Sequence, residues 1–218
     1  MKLINFDETP SLMSRLMLEM RDVNIHADRM RFRRNLERAG EIMAYEISKT
    51  LDYEREEILT PLGPASCHDI ADDVVLATIF RAGLPFHQGF LNYYDRAGNA
   101  FVSAYRRYHE KGDQFDIQIE YLASPDLDGK ILILCDPMLA TGSSMELSYR
   151  ALLTKGTPAK IHLASVIASQ QAVDYVAKVF PSEKTSLWVG AIDADLNPHS
   201  YIVPGLGDAG DLAFGTKD

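Results

Sequence analysis

The segment from Ile131 to Ser144 constrains the fold more than any other part of the chain. Its apolar residues Ile131–Cys135 predict a buried strand, and the carboxylate of Asp136 follows at the end of that strand. Thr141, Gly142 and two serines then precede a helical pattern. The first N–H groups of a helix lack partners, and the helix dipole makes that end partly positive. This order therefore predicts a pocket for a sugar phosphate, whereas the alternative is an ordinary strand–turn–helix with Ser/Thr capping.

The side chains of this segment have distinct predicted roles. The hydroxyls of the threonine and the serines add hydrogen-bond donors, and Gly142 lets the backbone approach a ligand closely. Asp136 is placed to accept hydrogen bonds from sugar hydroxyls or to help hold a metal ion. The segment lacks the Lys-containing phosphate loop typical of nucleoside triphosphatases, so that class is disfavoured.

Alternating strand and helix patterns predict an α/β fold with a parallel, Rossmann-like core flanked by helices, in a single domain spanning 1–218. Two prolines and a glycine predict a loop at 59–66. The predicted strands lie at 74–80, 100–105, 131–135, 160–168 and 186–192. The predicted helices lie at 11–21, 26–51, 86–94, 144–154 and 170–180.

Two arginines follow predicted strands directly. Arg81 comes after the strand at 74–80, and Arg106 comes after the strand at 100–105. Because ligands bind beyond the carboxyl ends of strands in open α/β sheets, we expect both arginines near a ligand. The polar residues 108–115 predict either a mobile flap over that ligand or a simple hairpin, with 117–121 as its return strand.

The C-terminal segment Tyr201–Asp211 is rich in glycine. It formally matches the dinucleotide-binding pattern of three glycines, but only eight residues remain after Gly210, so the βαβ unit that this pattern needs does not fit. We expect an irregular glycine loop instead. Such a loop exposes backbone N–H and C=O groups to a small planar ligand.

The formal net charge of −9 disfavours general binding to nucleic acids. A polyphosphate ligand would need local positive groups and a divalent cation. Five arginines, at 29, 31, 33, 34 and 38, crowd the second predicted helix; a solvated face paired with Glu37 and Glu41 is favoured over a nucleic-acid surface or a subunit contact.

No apolar run is long enough for a membrane span, and the two cysteines suit a reducing, cytoplasmic setting.

These motifs together resemble the uracil phosphoribosyltransferases. The run 136–144 looks like that family's phosphoribosyl-pyrophosphate loop, and Tyr201–Asp211 looks like its uracil-binding tail. Arg81-Ala-Gly83, Tyr105-Arg106 and the early helical region are also similar. The resemblance covers nearly the whole chain, and it implies a phosphoribosyltransferase core with N-terminal helices and a C-terminal tail or hood that binds the base.

The resemblance implies transfer of a phosphoribosyl group to uracil, which gives UMP and pyrophosphate in pyrimidine salvage. It implies catalytic roles for Asp136, Asp208 and Arg106. The expected ligands of phosphoribosyl pyrophosphate are Arg81, Arg106, Asp136, Pro137, Met138, Leu139, Ala140, Thr141, Gly142, Ser143, Ser144 and Asp208. The expected ligands of uracil are Tyr201, Ile202, Gly207, Asp208 and Ala209. Mg²⁺ is expected on the substrate phosphates near Asp208, not in a cage made by the protein alone.

Three departures from the family pattern keep alternatives open. Ser143 stands where a second glycine is typical, Leu212 stands where a basic residue is common, and 168–171 replaces a segment of the Ala-Pro-Glu-Gly type. A phosphoribosyltransferase for another base, and a sensor of nucleotides or phosphoribosyl pyrophosphate without turnover, are therefore the alternatives. The resemblance also implies a homodimer or a larger homo-oligomer, with GTP as a candidate effector.

Overall fold

A computed structural model describes the backbone of residues 1–108 and 115–216, and all side chains of these ranges except those of 104–108 and 115–118. The helices are α1 (Leu12–Arg21), α2 (Arg29–Ser48), α3 (Gly83–Leu91), α4 (Ser143–Leu152), α5 (Gln170–Val179) and α6 (Ala209–Phe214). The strands are β1 (Lys2–Asn5), β2 (Tyr53–Thr60), β3 (Gly63–Ile70), β4 (Val74–Ile79), β5 (Gly98–Tyr108), β6 (Phe115–Ala123), β7 (Ile131–Cys135), β8 (Met138–Leu139), β9 (Lys160–Ser169), β10 (Thr185–Asp193), β11 (Asp195–Leu196) and β12 (Ile202–Val203).

The centre of the fold is one mainly parallel sheet with the order β1-β10-β9-β7-β4-β5-β6, and β8 also pairs with β9. Among the described strands of this sheet, only the pair β5–β6 is antiparallel. The α/β fold with a parallel core is therefore confirmed, as is the return strand after 108–115. The flap predicted at 108–115 falls largely on residues outside the described ones. Strand β1 pairs in parallel with β10 at the sheet edge, and the sequence did not indicate it.

Both faces of the sheet are buried because successive side chains of a strand point to opposite sides. Leu76, Ile133 and Val166 face a core formed with α1, α2 and α3, whereas Ala77, Leu134 and Leu163 face a second core formed with α4 and α5. This double burial explains why the central strands are continuous apolar runs. Among the described residues, no helix combines the length and apolar character needed to span a membrane.

The loop predicted at 59–66 is wrong. The chain there forms a hairpin in which β2 and β3 pair from Tyr53↔Ile70 to Thr60↔Gly63 around a turn at Pro61 and Leu62. A sheet of two strands leaves one edge of each strand unpaired, so it tolerates Pro64, which has no N–H to donate. Most residues of the hairpin are exposed.

Helix α3 begins three residues earlier than the predicted helix at 86–94. It runs through Pro85 because the first N–H groups of a helix have no intrahelical acceptor, so a proline in the first turn removes no hydrogen bond. Its start at Gly83 places the helix directly after Arg81, at the end of β4.

His162 on β9 is a buried titratable side chain in the first of these cores. The indole Nε1–H of Trp188 can only donate, and it lies 3.1 Å from His162 Nδ1, so Nδ1 accepts and the imidazole is neutral. Burial, together with the charge of Lys160, lowers the pKa of His162 to about 4. The unfolded chain therefore binds a proton that the folded chain does not as the pH falls from 6.5 towards 4.

We predict that the His162→Gln variant loses less stability on acidification than the parent. The contribution of His162 is fully present above pH 6.5 and is lost as the pH falls, by about 2 kcal/mol between pH 7.5 and pH 5. A Gln is neutral throughout and its amide oxygen can still accept from Trp188. Urea unfolding at both pH values, followed by the fluorescence of the single tryptophan, measures the difference.

The exposed His68 on β3 offers a matched control. The His68→Gln variant should keep the parent's dependence of unfolding free energy on pH. Equal acid-induced losses in the parent and in His162→Gln would contradict the assignment.

Candidate active site

The loop between β7 and α4 encloses a small cavity at the carboxyl edge of the sheet. The strand ends at Cys135 and the helix begins at Ser143, and within the loop β8 pairs in parallel with Ile167 and Ala168 of β9. The cavity has a volume of about 40 Å³. It is lined by Asp136, Met138, Leu139, Ala140, Thr141, Gly142, Ser144 and Met145. Of the run 136–144 in which the sequence predicts a pocket for a sugar phosphate, all residues except Pro137 and Ser143 line this cavity.

The backbone of this loop offers hydrogen-bond donors. In the described part of the chain, no acceptor lies within hydrogen-bonding distance of the N–H groups of Thr141, Gly142, Ser144 and Met145. The N–H of Ser143 makes a long contact of 3.4 Å with Thr141 Oγ1. The N-cap residue of α4 is Gly142, which has no side chain to cap the helix. Free N–H groups and the helix dipole together favour an anion such as phosphate.

Gly142 is required by both conformation and space. Its φ of 84° lies in the left-handed region, which costs other residues about 1–2 kcal/mol. A Cβ there would lie 2.8 Å from the ring of Tyr175 and 3.3 Å from Val176 on α5. The Tyr175 hydroxyl donates to Glu146, which also accepts from Arg150, so the ring is held in place.

Asp136 supplies a carboxylate to the cavity. One of its oxygens accepts from the Met138 N–H at 3.3 Å. Burial raises the pKa of Asp136 to about 7, and the hydrogen bond from Met138 only partly offsets this. The carboxyl group can therefore be ionised or protonated close to neutral pH, which suits a group that exchanges hydrogen bonds with sugar hydroxyls.

The C-terminal tail folds back over the same edge of the sheet. It begins as a small hairpin of β11 and β12 and ends in α6, so the expectation of an irregular glycine loop is wrong from Ala209 onward. Asp208 caps α6 by accepting the Asp211 N–H at 3.0 Å. Arg33 binds the Ala213 carbonyl at 2.7 Å near the other end. These two caps stabilise a helix of six residues that propensity alone would not indicate.

Gly205 in the tail is anchored by two residues that the sequence did not single out. Asp193, at the end of β10, accepts from the Gly205 N–H at 2.8 Å and from both terminal nitrogens of Arg21 at 2.8 Å. Arg21 also donates to the Gly205 carbonyl at 3.2 Å. Burial alone would raise the pKa of Asp193, but the bonds from Arg21 and Gly205 outweigh it and hold the pKa below its usual value. In the sequence, the only indication of this role is that Arg21 and Asp193 are polar residues at the ends of α1 and β10.

Arg81 joins the end of β4 to the tail. Its guanidinium donates to Asp211 at 2.7 Å and to the Gly215 carbonyl at 3.1 Å. Two of its five N–H donors are thus used, and within the described ranges 1–108 and 115–216 the other three have no partner. Arg106 lies on β5, with its backbone opposite Ile117, but its side chain is outside the described residues.

The expected uracil ligands in the tail differ in their exposure. Ile202 and Ala209 are buried, whereas Tyr201 and Gly207 are exposed. The cavity and the tail meet directly, because the Ala209 N–H donates to the sulfur of Met138 at 3.3 Å. The two segments that the sequence marked as parts of one site are therefore in contact.

The arginine-rich start of α2 mostly serves contacts within the chain. Arg34 pairs with Glu37 as expected, whereas Arg31 pairs with Glu19 on α1. With Arg33 bound to the tail, the expectation of a purely solvated face is wrong for part of the cluster.

Comparisons with known proteins agree with one another. The family model described as uracil phosphoribosyltransferase matches residues 8–216. A uracil phosphoribosyltransferase of Porphyromonas gingivalis is 62% identical over 217 residues, which cover 100% of both chains. One of Methanothermobacter thermautotrophicus is 40% identical over 84% of this chain and 83% of its own length. A solved structure of a protein from Aquifex aeolicus superposes with a TM-score of 0.86 at 28% identity and covers 98% of both chains.

We predict that Gly142→Ala destabilises the fold more than Gly129→Ala. Gly129 also has a positive φ, of 72°, but no atom lies within 4 Å of a Cβ built there. The Gly129 variant should cost about 1–2 kcal/mol for the left-handed backbone alone. The Gly142 variant should cost roughly 1–3 kcal/mol more for overpacking against Tyr175.

The free energies of urea unfolding of the two variants measure this difference. Equal losses would show that the Tyr175 ring moves away freely and that only the backbone conformation matters.

Proposed function

The chain belongs to the uracil phosphoribosyltransferase family, and we propose that the cavity beside Asp136 is where it transfers a phosphoribosyl group. The reaction joins uracil to the ribose of phosphoribosyl pyrophosphate and gives UMP and pyrophosphate. The observation that carries the assignment of the site is the set of backbone N–H groups at Thr141, Gly142, Ser144 and Met145, which have no acceptor in the described part of the chain, beside the half-buried carboxylate of Asp136. Met138 links this set to the tail.

The loop would bind the donor substrate from two directions. The 5′-phosphate would accept hydrogen bonds from the backbone N–H groups of Thr141 to Ser144 at the positive end of α4. The Asp136 carboxylate would accept hydrogen bonds from the ribose hydroxyls. The side-chain hydroxyls of Thr141 and Ser143 would instead bind the phosphate. Ser143 is compatible with this role, since its backbone adopts the first position of α4 and needs no positive φ.

The transfer itself is a displacement at the anomeric carbon of ribose. A ring nitrogen of uracil forms the new bond, the bond to the pyrophosphate oxygen breaks, and the proton of that nitrogen is lost. Positive charge develops on the sugar and negative charge grows on the leaving pyrophosphate. The N–H groups of Arg81 that the described residues leave without a partner, and the side chain of Arg106 as expected from the sequence, would stabilise that negative charge.

The donor set suits a divalent cation carried by the substrate. No cluster of three His, Cys, Asp or Glu side chains able to hold a metal ion occurs among the described residues. Asp208 would supply a single carboxylate beside phosphate oxygens, which is the usual manner of binding Mg²⁺. When bound, Mg²⁺ would neutralise charge on the leaving pyrophosphate.

The backbone of the tail would select the base. Uracil presents alternating C=O and N–H groups, and the tail offers backbone groups around Ile202, Gly207 and Ala209 that the anchoring of Gly205 by Asp193 and Arg21 keeps in place. The relatives named above are uracil enzymes, which favours uracil over another base. The contact between tail and cavity brings the base close to the sugar, so positioning of two substrates supplies much of the acceleration.

Further expectations from the resemblance stay predictions. A second copy of the chain would cover the apolar side chains of Leu59 and Leu62, which are 86% and 100% exposed on the β2–β3 hairpin. Activation by GTP and a cytoplasmic location are likewise predictions from the resemblance.

The function is tested by a turnover assay with phosphoribosyl pyrophosphate, Mg²⁺ and one of five bases: uracil, cytosine, hypoxanthine, adenine or orotate. We expect UMP from uracil and no nucleotide from the other four, because the tail presents backbone groups suited to uracil. Turnover with a different base would overturn the assignment of the tail. Binding of phosphoribosyl pyrophosphate without any product would instead indicate a sensor.

We predict that affinity for phosphoribosyl pyrophosphate depends on the ionisation of Asp136. The ionised carboxylate accepts through both oxygens, whereas protonation turns one oxygen into a donor, and burial raises the pKa of Asp136 to about 7. Affinity should therefore weaken about ten-fold between pH 8 and pH 6, as the carboxylate takes up a proton. Titration calorimetry with phosphoribosyl pyrophosphate and Mg²⁺ at several pH values measures the change.

Asp136→Asn provides the control. It should bind more weakly at pH 8 and show only the pH dependence that comes from the ligand's own phosphates. The same slope of affinity against pH in both proteins would exclude Asp136 from the site.

A further inference from the structure

We propose that Ser169 is a positioning residue for phosphoribosyl pyrophosphate, because it turns the Ala140–Thr141 peptide so that the Thr141 N–H faces the cavity. This inference rests on the proposed function of the cavity. Ser169 is the last residue of β9 and lies in the segment 168–171, one of the departures from the family pattern. Its side chain does not line the cavity, so it acts through the loop and not on the substrate.

The hydroxyl of Ser169 makes two hydrogen bonds whose directions are fixed. Its oxygen accepts from the Ala172 N–H at 2.9 Å, which caps α5. A hydroxyl has one proton, and that proton is donated to the Ala140 carbonyl at 2.6 Å. Ser169 is fully buried, so water does not compete for either bond. The carbonyl of Ala140 is therefore held towards the start of α5.

The position of that carbonyl determines the direction of the next N–H. In a trans peptide the C=O and N–H bonds lie in one plane and point in opposite directions. With the Ala140 carbonyl held towards Ser169, the Thr141 N–H points away from α5. Thr141 lines the cavity, and its N–H has no acceptor in the described part of the chain. Ser169 therefore sets the direction of the Thr141 N–H, which is one of the donors assigned to the phosphate.

The side chain of Ser169 holds the loop at the point where backbone pairing between β8 and β9 stops. The pairing of β8 with β9 ends at Leu139↔Ala168, one residue before Ala140 and Ser169. Up to that point, backbone hydrogen bonds such as those from Val166 and Ile167 to the Pro137 carbonyl fix the loop. At Ala140 the chain turns towards Gly142 and leaves the strand. The side chain of Ser169 therefore holds the first loop peptide beyond the ladder.

The capping role of Ser169 has to be separated from its role at Ala140. Ser169→Ala removes both hydrogen bonds and also weakens the start of α5. Ala177→Gly is the matched control, because Ala177 is exposed in the second half of α5, and glycine there weakens the helix without touching Ala140. Ser169→Thr keeps a hydroxyl able to make both bonds.

The experiment measures kcat and the KM of each substrate for the full-length protein and the three variants, together with midpoints of urea unfolding. We expect Ser169→Ala to raise KM for phosphoribosyl pyrophosphate by about ten-fold, since a donor in the cradle loses its orientation, while KM for uracil stays within about two-fold. Ala177→Gly should lower the unfolding midpoint by a similar amount and leave both KM values unchanged. Ser169→Thr should return KM for phosphoribosyl pyrophosphate to near the parent's value.

Two results would overturn the inference while leaving the function intact. One is an active parent and a Ser169→Ala variant with unchanged KM for phosphoribosyl pyrophosphate. The other is an equal rise in that KM for Ala177→Gly, which would reduce Ser169 to a helix cap. A parent that turns over no base would instead contradict the proposed function.

Discussion

The parallel alignment of β4, β7, β9 and β10 is the constraint on which the site depends. Parallel strands end at the same edge of a sheet, so the residues that follow them are brought together without being close in sequence. Asp136 follows β7, Arg81 follows β4, and β9 and β10 end at Ser169 and Asp193. The apolar burial of both sheet faces fixes these strands rigidly. The polar residues that directly follow these strands are therefore held in fixed positions.

Charge-assisted hydrogen bonds hold the tail at several points, in addition to the packing of buried apolar side chains such as Leu206 and Ala213 in the core. Arg21, Arg33 and Arg81 come from three different elements, and each donates to a backbone carbonyl of the last fifteen residues. Hydrogen bonds to charged groups contribute roughly 1.5–3 kcal/mol each, about twice a neutral bond. In a chain with a net charge of −9, these arginines supply cationic groups at the edge where we propose that phosphoribosyl pyrophosphate binds, although Arg21 and Arg81 each also pair with a carboxylate.

The sequence predicts the elements whose signals are local and misses those whose causes lie elsewhere in the chain. The buried strands and the run from Asp136 to Ser144 follow from apolar patterning and from helix start signals. Helix α6 depends on Arg33, about 180 residues away, which no local pattern contains. The β2–β3 hairpin contains prolines that usually indicate loops, and the roles of Asp193 and Ser169 depend on carbonyls and N–H groups that only the fold brings near.

The contact of Met138 with Ala209 has a thermodynamic consequence. Because one residue belongs to the loop assigned to the sugar phosphate and the other to the tail assigned to the base, the two substrates share a boundary inside the protein. A ligand that orders one segment alters the free energy of ordering the other. Linkage then requires reciprocity: the factor by which either substrate tightens the binding of its partner must equal the factor in the opposite direction. The affinities therefore do not set the order in which the two substrates bind, and the rates of binding do.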